Sequence, residues 1–158
     1  MKVRSIFSLM SLGLFLFVLA ACDRKPVMTE VPYTVLKNYF FRNDAQMPSN
    51  PKIDTQEQFD SLFGMAPLMG PEGRPTPVDF ERQFVISVVS PVTNRQTELY
   101  AEHLYAYKDL LGKSNLYFWY SANRGTDTLS YTIQPILLIA VDRQHDAEHI
   151  SLKEVVDE

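Results

Sequence analysis

Two short apolar runs constrain the fold of this chain more than any other feature. They are Phe84–Val89, interrupted only by Ser87, and Ile136–Val141. Both have the length of a strand and are rich in β-branched residues, which is typical of strands buried on both faces. Pro135 stands at the start of the second run, where its missing N–H donor is tolerated. We therefore expect Ile136–Val141 to be the central strand of a sheet.

One helix is specified by the residues at its two ends. Thr55–Gln58 fits a capping box, in which the Thr55 hydroxyl and the Gln58 side chain satisfy amides of the first helical turn. Three apolar residues then share one helical face: Phe59, Leu62 and Phe63. Gly64 stands where a C-terminal cap belongs. A helix of about two turns must dock on a sheet to persist.

The remaining periodic segments have the composition and spacing of strands. They are Tyr33–Phe41, Thr97–Lys108, Leu116–Ala122, Thr128–Ile133 and His149–Val156. Turns at 112–115 and 123–127 would join the middle three into a meander of hairpins, and the last segment suits an edge strand. Residues 32–158 are therefore predicted to form a single α+β domain, with one short helix packed on a mostly antiparallel, partly curled β-sheet.

The alternation within Thr97–Lys108 predicts which side chains share a face. Leu99, Ala101 and Tyr105 would lie on one side, and the polar residues between them on the other. The pattern fails near His103–Leu104, where we expect a β-bulge.

The first 22 residues have the layout of an export signal. A basic start leads into the apolar run Leu12–Ala21, and small residues precede Cys22, the only cysteine. Leu19–Cys22 resembles the lipobox of bacterial lipoproteins. An uncleaved transmembrane helix would need about 20 predominantly apolar residues, which this run does not reach. An ordinary secretory signal would not require a cysteine at the cleavage site.

These residues predict the organisation and location of the chain. Residues 1–21 would be a lipoprotein signal peptide, Cys22 the lipid-attachment residue and residues 22–31 a lipidated tether. The expected location is the bacterial cell envelope, on the inner or the outer membrane. With Cys22 lipidated, no disulfide can form. The formal net charge of −4 argues against nucleic acid as a partner, so the membrane is contacted through the lipid.

No catalytic motif follows the signal. The chain lacks G-x-S-x-G and any phosphate-binding loop, so we expect a protein that is not an enzyme and uses no cofactor. His145 and His149 are four residues apart, and on a helix they would share one face and suit a metal. Because they fall in a polar segment between two strand patterns, we assign no metal site; an envelope hydrolase or metalloprotein is the least favoured alternative.

Two segments are candidates for binding a partner. Tyr117 and Trp119 alternate with two further aromatic residues on one predicted strand, so that both of its faces are aromatic. Such a hairpin is either a covered part of the core or an exposed Tyr/Trp surface suited to protein or sugar contacts. The Pro- and Gly-rich stretch 64–77 carries Leu68 and Met69. It is either a partner-binding loop or a lid packed over the sheet edge.

The order of motifs between Thr55 and Val141 resembles the PrcB-type domain of protease-complex accessory lipoproteins. The resemblance rests on the helix start Thr55–Phe59, on Val78-Asp79-Phe80 before the first apolar run, and on Gln134-Pro135 before the second. It implies a lipid-anchored binding module that stabilises or inhibits a protein partner such as an extracytoplasmic protease, and it brings no catalytic residues. A lipoprotein that binds a glycan or small molecule on the same aromatic surface is the alternative.

Overall fold

The computed structural model describes residues 27–66, 69–70 and 73–156. The predicted signal peptide, Cys22 and Leu68 lie outside the described residues. Within the described ranges, no helix has both the length and the apolar character that crossing a membrane requires.

The described part of the chain contains one α-helix and ten strands, which confirms the predicted α+β class. In chain order they are β1 (Thr29–Glu30), β2 (Thr34–Leu36), β3 (Tyr39–Phe41), β4 (Lys52–Ile53), α1 (Gln56–Leu62), β5 (Phe63–Met65), β6 (Gln83–Val89), β7 (Thr93–Lys108), β8 (Ser114–Ile133), β9 (Ile136–Asp142) and β10 (His149–Val155). A short 3₁₀ turn, Arg143–His145, separates β9 from β10.

The strands are distributed over two four-stranded sheets and a two-stranded ladder. The central sheet has the order β2-β9-β6-β4, the outer sheet has the order β1-β7-β8-β10, and β3 pairs with β5. Every pairing is antiparallel except that of β10 with β8. β10 lies at an edge of the outer sheet, as its sequence predicted.

The two apolar runs of the sequence form the middle of the central sheet. β6 and β9 pair along their whole length, from Gln83 opposite Asp142 to Val89 opposite Ile136. Their alternate residues enter two separate cores, because successive side chains of a strand point to opposite faces. Phe84 and Ile139 belong to the core shared with the outer sheet, whereas Val85 belongs to the core under the helix. The prediction of strands buried on both faces is confirmed.

The core between the two sheets is built from large side chains of both layers. From the outer sheet, Leu104, Leu116 and Phe118 are fully buried against the central sheet. The second core joins the helix to the β3–β5 ladder through Phe41, Phe59 and Phe63. The Phe59 ring lies 5.2 Å from that of Phe63 and 5.7 Å from that of Phe80. The helix is therefore held by burial of its aromatic face, as a two-turn helix must be.

The helix begins as the sequence predicts, but its end differs from the prediction. Thr55 is the N-cap, its hydroxyl accepting from the Gln58 amide at 3.2 Å, and the Gln58 side chain accepts from the Asp54 amide at 3.0 Å. Gly64, however, is not a C-terminal cap, because the chain passes at Phe63 directly into β5. Gly64 instead lies under the ring of Phe40, where a Cβ atom would be 2.4 Å from the ring. The missing side chain of Gly64 allows the Phe40 ring to pack closely against the backbone, and no left-handed turn is involved.

The predicted strand Tyr33–Phe41 is divided in two. Asn38 adopts φ 63°, a left-handed conformation that asparagine tolerates better than most residues. The chain before it pairs with β9 in the central sheet, and the chain after it pairs with β5. One residue thus sends the two halves into different sheets.

The end of the predicted tether belongs to the folded domain. Thr29–Glu30 pairs with β7 of the outer sheet. Val31 is buried in the core between the sheets, and its amide donates to the Leu104 carbonyl at 2.8 Å. The folded domain therefore begins before residue 32, which is the start predicted from the sequence.

The turn predicted at 123–127 is wrong, because this segment lies inside β8. The strand continues from Ser114 to Ile133. It pairs with β7 from Lys108 opposite Ser114 to Thr93 opposite Ile133, with register shifts on both sides of Arg95 that leave extra residues on β8. The extended β7 offers backbone partners to the polar segment, so the ladder continues where local propensity favours a turn. The expected meander is one long hairpin.

The environment of Gly64 leads to a stability prediction. Gly64→Ala is expected to change the free energy of unfolding by less than about 1 kcal/mol, because the far end of the half-exposed Phe40 side chain can move and alanine stiffens the unfolded chain. Gly112→Ala is the matched control. It should cost about 1 kcal/mol, because Gly112 has φ 79°. Urea unfolding of both variants measures the difference, and a loss above about 2 kcal/mol for Gly64→Ala would contradict this account.

Candidate functional site

A β-bulge determines which side chains of β7 face away from the core. The register with β8 shifts between Ala101, opposite Tyr120, and His103, opposite Trp119, so Glu102 is the extra residue. This confirms the bulge predicted near His103–Leu104. An extra residue exchanges the two faces of the strand beyond it.

This exchange corrects the predicted position of Tyr105. Leu99 and Ala101 pack against the core between the sheets, as does Leu104 beyond the bulge. Tyr105 therefore points to the opposite, open face, where its ring contacts Trp119. The sequence predicts Tyr105 on the same face as Leu99 only if side chains alternate without interruption, and the bulge interrupts them.

The open face of the outer sheet gathers aromatic and charged side chains from four strands. We call this surface the aromatic face; it consists of Glu30, His103, Tyr105, Tyr107, Tyr117, Trp119 and Lys153. The three tyrosines and the tryptophan are half-buried. Tyr117 and Trp119, predicted from sequence, thus lie on an open surface, while Phe118 between them is buried in the core.

The rings of the aromatic face pack against one another in a defined geometry. Tyr107 and Tyr117 stack with ring centroids 4.9 Å apart and an interplanar angle of 13°. Tyr105 meets Trp119 edge to face at 5.6 Å and stacks on His103 at 5.5 Å. Such pairs contribute about 0.5–1.5 kcal/mol beyond area burial. The face is therefore preorganised.

Charged groups complete the aromatic face. The Lys153 Nζ atom lies 4.9 Å from the centroid of the Trp119 ring, a cation–π contact that links β10 to β8. His103 Nδ1 lies 3.1 Å from Glu30 Oε1, which links β7 to β1. A hydrogen bond to Tyr117, followed by burial, raises the pKa of Tyr107. The Tyr107 phenol is therefore neutral near neutral pH.

The second predicted binding segment lies elsewhere in the fold. Met69 is fully exposed and follows β5 in the chain, a strand that pairs with β3 and not with the outer sheet. The end of the Pro- and Gly-rich stretch is packed down, since Thr76 Oγ1 accepts from the Lys37 amide at 3.1 Å and the Thr76 carbonyl accepts from the Tyr39 hydroxyl at 2.8 Å. The described residues therefore do not unite Met69 with Tyr117 and Trp119.

The two histidines considered for a metal site lie on different elements. His145 ends the 3₁₀ turn and His149 begins β10, so they do not share a helical face. Across residues 27–66, 69–70 and 73–156, no group of three histidine, cysteine or carboxylate side chains is arranged to hold a metal ion.

A cavity of about 490 Å³ opens beside the aromatic face, at the hairpin end of the outer sheet. Its walls include Tyr107, Leu116 and the loop carrying His145. This loop is anchored by Arg143, whose guanidinium donates to the Asp54 carbonyl at 2.6 Å and to the Phe80 carbonyl at 3.0 Å. The cavity wall is thus tied to the start of the helix.

Lys52 fixes the same loop from the central sheet. Its Nζ atom lies 2.7 Å from Asp146 and 3.0 Å from Asp54. Burial lowers the pKa of Lys52, but the hydrogen bonds to Asp146 and Asp54 outweigh burial and raise it overall. The loop is therefore held by ion pairs as well as by Arg143.

Five members of the aromatic face were not predicted as site residues: Glu30, His103, Tyr105, Tyr107 and Lys153. Lys153 reaches Trp119 only because β10 pairs in parallel with β8, with Lys153 opposite Trp119. No local sequence signal specifies this register. His103 joins the face through the bulge: the sequence predicts the bulge, but the side-chain direction beyond it depends on the register with β8.

The comparisons with known proteins identify no relative. No family model, no curated protein and no solved structure matches this chain. The resemblance to the PrcB-type domain therefore stays a prediction.

Because Trp119 is the only tryptophan, its fluorescence reports on the aromatic face alone. Lys153→Ala removes the cation that covers the indole. We expect the emission to move to longer wavelength, because water gains access to the ring, and stability to fall by about 0.5–1 kcal/mol. Lys108→Ala, an exposed lysine of the same sheet, should leave the emission unchanged. Equal spectra for all three proteins would contradict the observed Lys153–Trp119 contact.

Proposed function

We propose that this protein is a non-enzymatic, lipid-anchored module of the bacterial cell envelope that binds a protein partner through its aromatic face. The observation that carries the proposal is the preorganised cluster of Tyr105, Tyr107, Tyr117 and Trp119 on an open sheet surface. Tyrosine and tryptophan are enriched at binding hot spots because they supply large, rigid contact area with a polar edge.

The proposed anchor rests on the sequence of the first 22 residues. The thiol of Cys22 is the acyl acceptor, and the small residues before it allow the backbone to enter a signal peptidase. One acyl chain holds a protein only marginally, whereas two or more hold it stably. Lipoproteins of this type carry several chains, so the proposed anchor is permanent.

The ring geometry favours a protein partner over a glycan. A sugar needs a free, flat ring surface, whereas Tyr107 and Tyr117 cover each other and Lys153 lies over Trp119. This arrangement presents the ring edges and hydroxyl groups of the tyrosines to a partner. These groups suit hydrogen bonding across a broad, flat interface.

The buried polar groups support a role without catalysis. The two buried polar residues among those described have structural partners: Ser87 Oγ donates to the Pro51 carbonyl at 3.1 Å, and Asn115 Nδ2 donates to the Lys113 carbonyl at 2.9 Å. Neither is paired with a base that would activate a nucleophile.

The class of partner is proposed from the sequence resemblance. The PrcB-type pattern between Thr55 and Val141 points to an extracytoplasmic protease that the module would stabilise or inhibit. A protease and a lipoprotein anchored in the same envelope would meet at the membrane surface, where tethering raises their effective concentration.

Trp119→Ala is expected to reduce recovery of the partner about tenfold or more in pull-downs from solubilised envelope, because truncating a central interface aromatic costs about 2 kcal/mol or more. Tyr131→Ala is the control, since Tyr131 is an exposed aromatic of the same strand outside the aromatic face. Circular dichroism verifies folding of both variants. Equal recovery of every partner by all three proteins would remove the role of the aromatic face.

Cys22→Ser is expected to abolish incorporation of labelled palmitate and to move the protein out of the membrane fraction, because a hydroxyl cannot replace the thiol as acyl acceptor in this processing. Ser11→Ala, within the predicted signal, is the control and should leave lipidation intact. Membrane retention and labelling of Cys22→Ser would contradict the anchor, whatever the pull-downs show.

A further inference from the structure

Two leucines at the tip of the β7–β8 hairpin are turned fully into solvent. Leu110 is 99% and Leu111 84% exposed. They lie in the turn between the two longest strands of the fold and belong to neither core. Adjacent, fully exposed leucines are costly in water, and such a patch marks a contact with another apolar phase.

The turn that presents the leucines is closed by its own hydrogen bonds. One Asp109 carboxylate oxygen accepts from the amides of Leu111 at 2.8 Å and Lys113 at 2.9 Å. The Gly112 amide donates to the Asp109 carbonyl at 3.0 Å, with Gly112 at φ 79°. The outward direction of the leucines is therefore built into the turn.

The N-terminal strand leaves the domain beside this tip. Thr29 pairs with Ala106, so the residues before it run along β7 toward the turn. Val27 and Met28 are exposed, and Val27 shares a cavity wall with Lys108 and Ser114, the last pair of the hairpin. Four exposed apolar side chains therefore occupy one end of the molecule: Val27, Met28, Leu110 and Leu111.

Cys22 is five residues before Val27. Even when fully extended, five residues span at most about 18 Å. A lipid on Cys22 would thus hold the bilayer within this distance of Val27, at the end of the domain that carries the hairpin tip. An apolar patch kept so close to a bilayer has the acyl region as its nearest apolar phase.

We propose that the β7–β8 hairpin tip inserts Leu110 and Leu111 into the bilayer as a second, non-covalent membrane contact. The proposal rests on the proposed lipid anchor at Cys22. Together with the lipid, the inserted tip attaches the domain at two points and orients it, so that the rest of the hairpin extends away from the membrane. On the order of 50 Å of β8 separates the tip from Tyr131. The aromatic face lies next to the tip, from Tyr107 back to His103 on β7 and from Tyr117 to Trp119 on β8.

The charges around the tip favour insertion by apolar area over attraction to anionic lipids. Lys108 and Lys113 are opposed by Asp109 and Glu148, and Lys113 Nζ lies 3.0 Å from Glu148 Oε1. The side chains of the two lysines are long enough to keep their ammonium groups at the headgroup level while the leucines go deeper. The contact should therefore depend little on the content of anionic lipid or on salt.

The test uses the full chain, processed in a bacterial host and reconstituted as the lipidated protein into phosphatidylcholine vesicles. A lipidated Cys22 has no free thiol, so Leu111→Cys provides a unique site for the fluorophore NBD. Nitroxide groups on the lipid acyl chains are expected to quench at least about half of its emission, since interfacial segments lie about 5–10 Å deep. NBD on Tyr131→Cys should lose less than about a tenth.

A second variant separates insertion by the leucines from insertion by the probe. Leu110→Ser in the Leu111→Cys background is expected to reduce the quenching at least about twofold, because it removes the last leucine of the tip. Vesicle flotation is measured in parallel. A protein that floats but shows no quenching at position 111 overturns the tip insertion and leaves the anchor standing. A blue-shifted emission without quenching would indicate a second copy or another protein on the leucines, and would also overturn it. Failure to float overturns both proposals.

Discussion

The fold depends on the antiparallel pairing of β6 and β9. These two strands send Phe84, Ile86 and Ile139 to one side and Val85 and Leu138 to the other, so each strand stabilises two cores at once. Fully burying an aliphatic or aromatic side chain contributes about 1.5–3 kcal/mol. The outer sheet and the helical layer each bury one face only and need this pair to cover them.

The outer sheet uses this support to keep its other face open. Leu104, Leu116 and Phe118 fasten the sheet to the core, and the residues between them are then free to point outward. The bulge at Glu102 lets β7 place Leu104 inside and Tyr105 outside. The alternation of side chains along β7 and β8 therefore produces a buried face on one side of the sheet and a rigid aromatic array on the other. The polar contacts of Lys153 and Glu30 connect the array to the edge strands.

The two proposed functions, partner binding and membrane insertion, use different parts of the long β7–β8 hairpin. The exposed leucines occupy its tip, and the aromatic face follows directly behind them on the turn-proximal residues of both strands. A lipid at Cys22 and an inserted tip would attach one end of the domain to the membrane at two points. A partner would then meet the aromatic face from the side, in an orientation that the membrane restricts. Two attachment points lower the rotational freedom of the domain, and a lower entropy cost of docking strengthens binding.

Patterns within a few residues determined much of this protein. The apolar runs predicted both central strands, the Thr55 capping box predicted the helix start, and the broken alternation predicted the bulge. These signals depend on local periodicity and hydrogen bonding. Tertiary structure decided what local patterns cannot specify. Pairing with β7 drew 123–127 into a strand, the ring of Phe40 gave Gly64 its role, and the parallel register of β10 placed Lys153 on Trp119. Each of these depends on a residue distant in sequence, which comes close only once the sheets have formed.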